Sequence, residues 1–301
     1  MPSRLGVAAV LSALALVGAL PASGRIEAPD VQSYAGLGTW IDIYSVGFRA
    51  DANGIAASLA RRGVGTLFVE TGNFRQRVDL FHPQQLSRLI EAAHARDIAV
   101  IAWYLPSLTN VARDLRRALA AIRFASQDGD QFDSFALDIE SSAVSNAAER
   151  NRRLLALSAR LRAAVGADYA LGAIIPSPVG MKLLPHYWPH FPYAALARAY
   201  DVILPMAYFS YRAHGSTAIA RYIRTSVAII RRHTADSSLP VHVIGGLANA
   251  MTKTDALAFL RAVGACGAQG FSLYDYFATK PSLWPLLRRA ASVATASATT
   301  C

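Results

Sequence analysis

Two carboxylates, Asp138 and Glu140, close an otherwise apolar run, FDSFALDIES at 132–141. In an extended strand, residues two apart point to the same side, so both acids share one face with Ala136. Two carboxylates so close repel when both are ionised, which raises one pKa. The spacing predicts that Glu140 keeps its proton while Asp138 carries the negative charge, the state a general acid needs near neutral pH. The competing reading is a buried acid paired with an Arg or tied to a neighbouring strand. Other acids fall at the ends of apolar runs: Asp42, Glu70 and Asp275. Each is either an auxiliary acid or a partner for strand-end backbone and Arg groups. The seven histidines show no metal-ligand spacing such as H-E-x-x-H. His186 and His190 are four apart, but Pro185 and Pro189 argue against one helix carrying both. No G-x-S-x-G is present. The sequence therefore predicts no metal and no cofactor.

Acids at strand ends need a scaffold that brings strand ends together. Runs of Ile, Val, Leu, Phe and Ala recur at Thr39–Tyr44, Gly65–Glu70, Ala99–Tyr104, Ser134–Glu140, Ala170–Ile175, Val202–Tyr208, Val241–Gly245 and Gly270–Asp275. Their near-continuous apolarity is that of parallel strands covered on both faces. Between them, apolar residues spaced by three and four predict helices over Pro83–Asp97, Thr109–Ser126, Asn146–Val165, Thr217–Thr234, Thr254–Gly264 and Ser282–Ser292. Eight strands alternating with helices over 36–292 predict an α/β protein, one (β/α)8 TIM barrel in a single domain. An open doubly wound sheet would carry a Gly-rich phosphate turn after the first strand, and Tyr44–Phe48 is not one. The stretch Pro176–Pro192 reads as a long irregular loop, either packed on the barrel or walling a cleft.

The ends of the chain speak to location. Arg4, the apolar run Leu5–Leu20 and the small residues at 21–24 predict a signal peptide over 1–24 and a secreted or extracytoplasmic protein. The run is short for a membrane span, so no stable membrane insertion is expected. A small, polar segment at 293–301 reads as a disordered tail. Two cysteines, Cys266 and Cys301, do not make a disulfide framework, so the core is expected to hold the fold. Hydrophobic residues are 53% of the 301 and charged ones 17%, an ordinary globular mixture. The formal charge of +10 comes mainly from arginines scattered along the chain. Without clustering among stacking aromatics they predict no nucleic-acid partner; they read either as a composition bias on solvated helix faces or as attraction to an anionic envelope surface.

The strand-four motif carries a resemblance. Asp133, Asp138 and Glu140 fall in register with the D-G-x-D-x-D-x-E of family 18 glycoside hydrolases, the chitinases and endo-β-N-acetylglucosaminidases, and Met206-Ala207-Tyr208 resembles that family's M-x-Y on strand six. The resemblance implies a glycosidase using substrate assistance. Glu140 would protonate the glycosidic oxygen, Asp138 would orient the substrate's acetamide, and Tyr208 would hydrogen-bond it. Trp103, Tyr104 and Tyr274 would stack on sugars, with Met206, Asp42, Glu70 and Asp275 nearby, although the rings and Met206 equally suit a core. The chain departs from the family at Ala136 and Ser134, at Ala102–Pro106 in place of S-x-G-G, and at Tyr274-Asp275 in place of Trp. Glycosidase layouts with acids on strands four and five, or four and seven, do not fit. Trp40-Ile41-Asp42 together with Asp138 and Glu140 also resembles the family 25 lysozymes, and 82–104 resembles uncharacterised glycosidase-like barrels of secreted bacterial proteins. The implied partner is a carbohydrate polymer or oligosaccharide, peptidoglycan or chitin-like. The alternative is an envelope-glycan-binding barrel that no longer cleaves.

Overall fold

The computed structural model describes residues 29–45 and 51–294. Eight parallel strands are joined in the order β6-β5-β4-β3-β2-β1-β8-β7. They are β1 (Gly36–Ile41), β2 (Thr66–Asn73), β3 (Ala99–Leu105), β4 (Ser134–Asp138), β5 (Leu171–Ile175), β6 (Val202–Pro205), β7 (His242–Leu247) and β8 (Gly270–Tyr274). Parallel bridges Ile203↔Val241 and Met206↔Ile244 join β6 to β7 and close the ring. This is the expected single-domain (β/α)8 barrel.

The helices are α1 (Ala52–Arg61), α2 (Pro83–His94), α3 (Val111–Ile122), α4 (Ala147–Val165), α5 (Pro178–Leu183), α6 (Tyr193–Ala199), α7 (Ser216–Thr234), α8 (Lys253–Ala265) and α9 (Trp284–Ala294). Local chemistry sets their starts. The Asn110 and Asn146 side chains accept from the backbone N–H three residues on, and Thr252 and Asp255 form a reciprocal capping box. Pro83 and Pro178 occupy first turns, where a missing N–H costs nothing.

Side chains alternate between two cores. Outward residues of the strands pack beneath the helices. Inward ones, among them Trp40, Phe68, Ile101, Trp103, Ile174 and Leu204, fill the barrel. The N-terminal mouth is plugged by Tyr34, whose hydroxyl lies 2.7 Å from Ser134 Oγ. A Cβ on Gly172 would sit 2.7 Å from that hydroxyl, so β5 needs glycine where the plug enters. Above it, Trp40 Nε1 donates to Ser272 Oγ at 2.7 Å, and His242 Nε2 lies 3.0 Å from the same oxygen. Burial pushes His242 down to about 4, so a neutral imidazole accepts there and donates from Nδ1 to Tyr34 O.

Several expectations are corrected. The sequence reading placed no helix at 52–61, where α1 forms. The stretch read as irregular contains α5 and leads into α6, because Ser177 caps a turn that Pro178 starts. Strands β4 and β6 end at Asp138 and Pro205, short of Glu140 and Tyr208. Helix α9 reaches Ala294, into the segment read as tail, whose remainder lies outside the described residues. The expected signal peptide, 1–24, also lies outside them. Among the described residues, no helix is long and apolar enough to cross a membrane. Cys266 is buried and disulfide-bonded, so the core does not act alone; the sequence holds one other cysteine, Cys301.

Candidate active site

The C-terminal ends of β2, β3, β4, β6 and β8 surround a cavity of about 300 Å³. Its lining includes Glu70, Trp103, Asp138, Glu140, Tyr208 and Tyr274. A second hollow of about 220 Å³, walled by α5 and Tyr187, shares Glu140, Met206 and Tyr208 with the first. The two form one cleft with Glu140 at the junction.

Each acid has a distinct surrounding. Asp138 ends β4, is 6% exposed, and its Oδ1 meets no protein hydrogen-bond partner. Burial, then the charges of Glu140 and Glu70, hold its carboxyl well above the usual range. Glu140 stands one residue beyond the last strand-like bond, Ile139 N to Ile174 O at 2.8 Å, and is half-buried. Burial raises it too, with the Arg75 guanidinium pulling back. Burial thus raises both carboxyls, and their mutual repulsion makes the pair hold a proton to higher pH than a free acid would. Glu70 is 1% exposed, accepts from Ile43 N at 3.1 Å and from Asn73 Nδ2 at 2.9 Å, and burial pushes it up to about 7.

The aromatics divide. Trp103 is both barrel filling and cavity floor, and its buried Nε1 meets no protein partner. Tyr208 lines both hollows; burial and then the acids at 138 and 140 raise its pKa, so it remains a neutral donor. The Tyr274 ring lines the cavity while its hydroxyl donates to Asp42 Oδ2 at 2.7 Å. Met206 lines the cleft.

Three expected site residues do not join them. Tyr104 alternates outward from Trp103, and its hydroxyl donates to Asp114 Oδ1 at 2.8 Å beneath α3. Asp42 sits behind Tyr274 and accepts from Tyr44 N and Ser45 N, so it lacks the open position that the family 25 resemblance would give it. Asp275 caps the turn after β8, accepting from Ala278 N at 2.9 Å. Asp133 lies at the opposite end of β4, where it accepts from Val100 N and His94 Nε2. The cleft also holds residues the sequence reading missed, Tyr44, Asn73 and Arg75 on one side and Arg212 on the other, while Tyr187 brings the 176–192 stretch into its wall, one of the two roles expected of it. Among the described residues no cluster of His, Cys, Asp and Glu could hold a metal ion.

No model of a known protein family matches the chain, and no curated protein does. Solved structures do. The spore cortex-lytic enzyme SleL of Bacillus cereus is 9% identical over 88% of this chain and 75% of its own, with a TM-score of 0.64. A chitinase from Bacteroides thetaiotaomicron is 10% identical over 87% and 96%, TM-score 0.61. An endo-β-1,4-mannanase from Thermotoga petrophila is 9% identical over 88% and 77%, TM-score 0.65. The chain shares the glycoside hydrolase type of (β/α)8 barrel with them; identities this low carry the fold alone.

Proposed function

We propose that the protein is an exported glycoside hydrolase acting on glycans that contain N-acetylhexosamine, peptidoglycan or chitin-like, with Glu140 as general acid. The observation that carries this reading is the cleft itself. A half-buried Glu140 of raised pKa stands between a deeply buried Asp138 and the neutral donor Tyr208. A sugar bound over Trp103 would lay its glycosidic oxygen against Glu140. Its 2-acetamido group would reach toward Asp138 and Tyr208, where Asp138 Oδ1 and Trp103 Nε1 want partners. Protonation of the leaving oxygen by Glu140 and attack by the acetamide oxygen on the anomeric carbon would break the glycosidic bond without an enzyme nucleophile; water would then attack that carbon, giving its proton to Glu140 and releasing the acetamide oxygen. The names of the structural neighbours, a chitinase and a cortex-lytic enzyme among them, favour such a glycan. The bonded Cys266 supports an oxidising, extracytoplasmic compartment.

One observation favours a second reading, a barrel that binds envelope glycan without cleaving it. Ala136, facing the barrel interior below Asp138, stands where the resembling family has an acid. Incubating wild type and Glu140→Gln with N-acetylglucosamine oligomers and purified peptidoglycan separates the two. Turnover by wild type, lowered by at least ~100-fold in the variant with binding retained, is expected for the enzyme. Binding by both with cleavage by neither selects the second reading.

A further inference from the structure

Arginines from two distant parts of the chain meet on the barrel's outer wall. Arg61 and Arg62 end α1, and Arg288 and Arg289 lie in α9. Together they line a groove of about 620 Å³ whose described lining contains no acid and shares no residue with the glycan cleft. No ion pair joins any of the four to a carboxylate among the described residues. They are held by other means. Arg62 lies over the rings of Trp284, at 4.8 Å, and Tyr276, at 5.2 Å. Arg288 donates from Nη1 to Arg61 O at 3.1 Å. Its stem passes over Gly63, where a Cβ would come within 2.9 Å of Arg288 Cγ.

A helix C-terminus explains Arg61, which sits in the last turn of α1. It also holds Arg288, which donates to Arg61 O, but it does not explain why Arg289 is added to the same groove with no acid beside it. Like charges gathered without counter-charges repel, and they are relieved when an anion enters. Guanidinium groups match phosphate oxygens two at a time. We infer that the α1–α9 groove is a docking site for a flexible, phosphate-bearing polyanion. The rings beneath it are stacked under Arg62, with Trp284 only 4% exposed, so neither bases to be stacked nor a bilayer to be entered suits it.

Calorimetric titration with short-chain inorganic polyphosphate across a salt series tests the site on the intact protein. For a flexible polyanion, log K falls with log salt by about 0.7 per contact, so four arginines give a slope near −3. Arg61→Gln with Arg289→Gln, both exposed, should halve that slope and weaken binding at low salt by at least ~10-fold. Arg221→Gln with Arg224→Gln on α7 removes the same two charges elsewhere and should leave binding unchanged. Equal loss in the two double variants would show attraction by overall charge and overturn the site. So would an unchanged slope in the first variant, no binding of polyphosphate by wild type, or binding only to anionic vesicles or to single-stranded DNA.

Discussion

Three acids of raised pKa share the cleft, each lifted mainly by burial. Asp138 and Glu140 repel when both are ionised, so they titrate as a pair. Asp138→Asn should slow turnover through lost acetamide orientation and, by removing a neighbouring carboxylate that repels an ionised Glu140, move the basic limb of the pH–rate profile acidward. Arg75 acts differently: its charge is what lowers Glu140 against burial. Arg75→Gln should raise the folded pKa of Glu140 and extend activity to higher pH, so a basic limb that stays put or moves acidward refutes the assignment. Glu70 bears on stability. Its folded pKa of about 7 stands above the ordinary 4.5, so the folded state binds the proton more tightly and stability falls as pH rises between those values. Glu70→Gln removes this penalty, at most about 3 kcal/mol, less about 1 for the disturbed Asn73 contact. Its melting temperature should exceed that of wild type at pH 8 and match or fall below it at pH 4, as calorimetry would show.

At the scale of elements, strand polarity decides what the sequence could reveal. The alternation of β3 and β4 is regular, so Trp103, Asp138 and Glu140 were legible as one face, and unbroken apolar runs made the barrel legible. Asn73 was not. The register of β2 against β3 shifts between Glu70 and Gly72, pairing Glu70 with Trp103 but Asn73 with Leu105. That bulge turns both Glu70 and Asn73 inward although they are three apart, which strict alternation forbids. Tyr104 erred the other way: strand-end position suggested a sugar contact, and parity put it under α3. There Asp114, fully buried, accepts from Tyr104 Oη and from Leu108 N at 2.9 Å. Leu108 is held at φ 62, so this acid fixes a turn that leucine disfavours. Asp114→Ala strands two buried donors, and urea denaturation should show a loss of about 2–4 kcal/mol. A loss below about 0.5 kcal/mol, the usual surface value, would mean the turn holds itself.

Across the whole molecule, the last quarter of the barrel depends on more than burial. Cys266 follows α8, and its carbonyl accepts from Arg231 Nη1 at 2.8 Å, which ties α8 to α7. Beyond it come β8, which pairs with both β1 and β7, and α9, which packs against α8 and β1. A barrel missing β8 exposes two strand edges, so this segment is where closure is completed. Cys266, where the segment begins, is disulfide-bonded. A native disulfide typically contributes about 2–4 kcal/mol. Reductant, or Cys266→Ser, should then lower the melting temperature by roughly 5–15 °C for a domain of this size. The two should agree with each other, and added reductant should do nothing further to the variant. Protein produced in a reducing cytosol should melt at the lower temperature and rise to the higher one on oxidation. A melting temperature indifferent to reductant would mean that the barrel closes through β8 contacts alone and that the bond reports compartment without contributing to the fold.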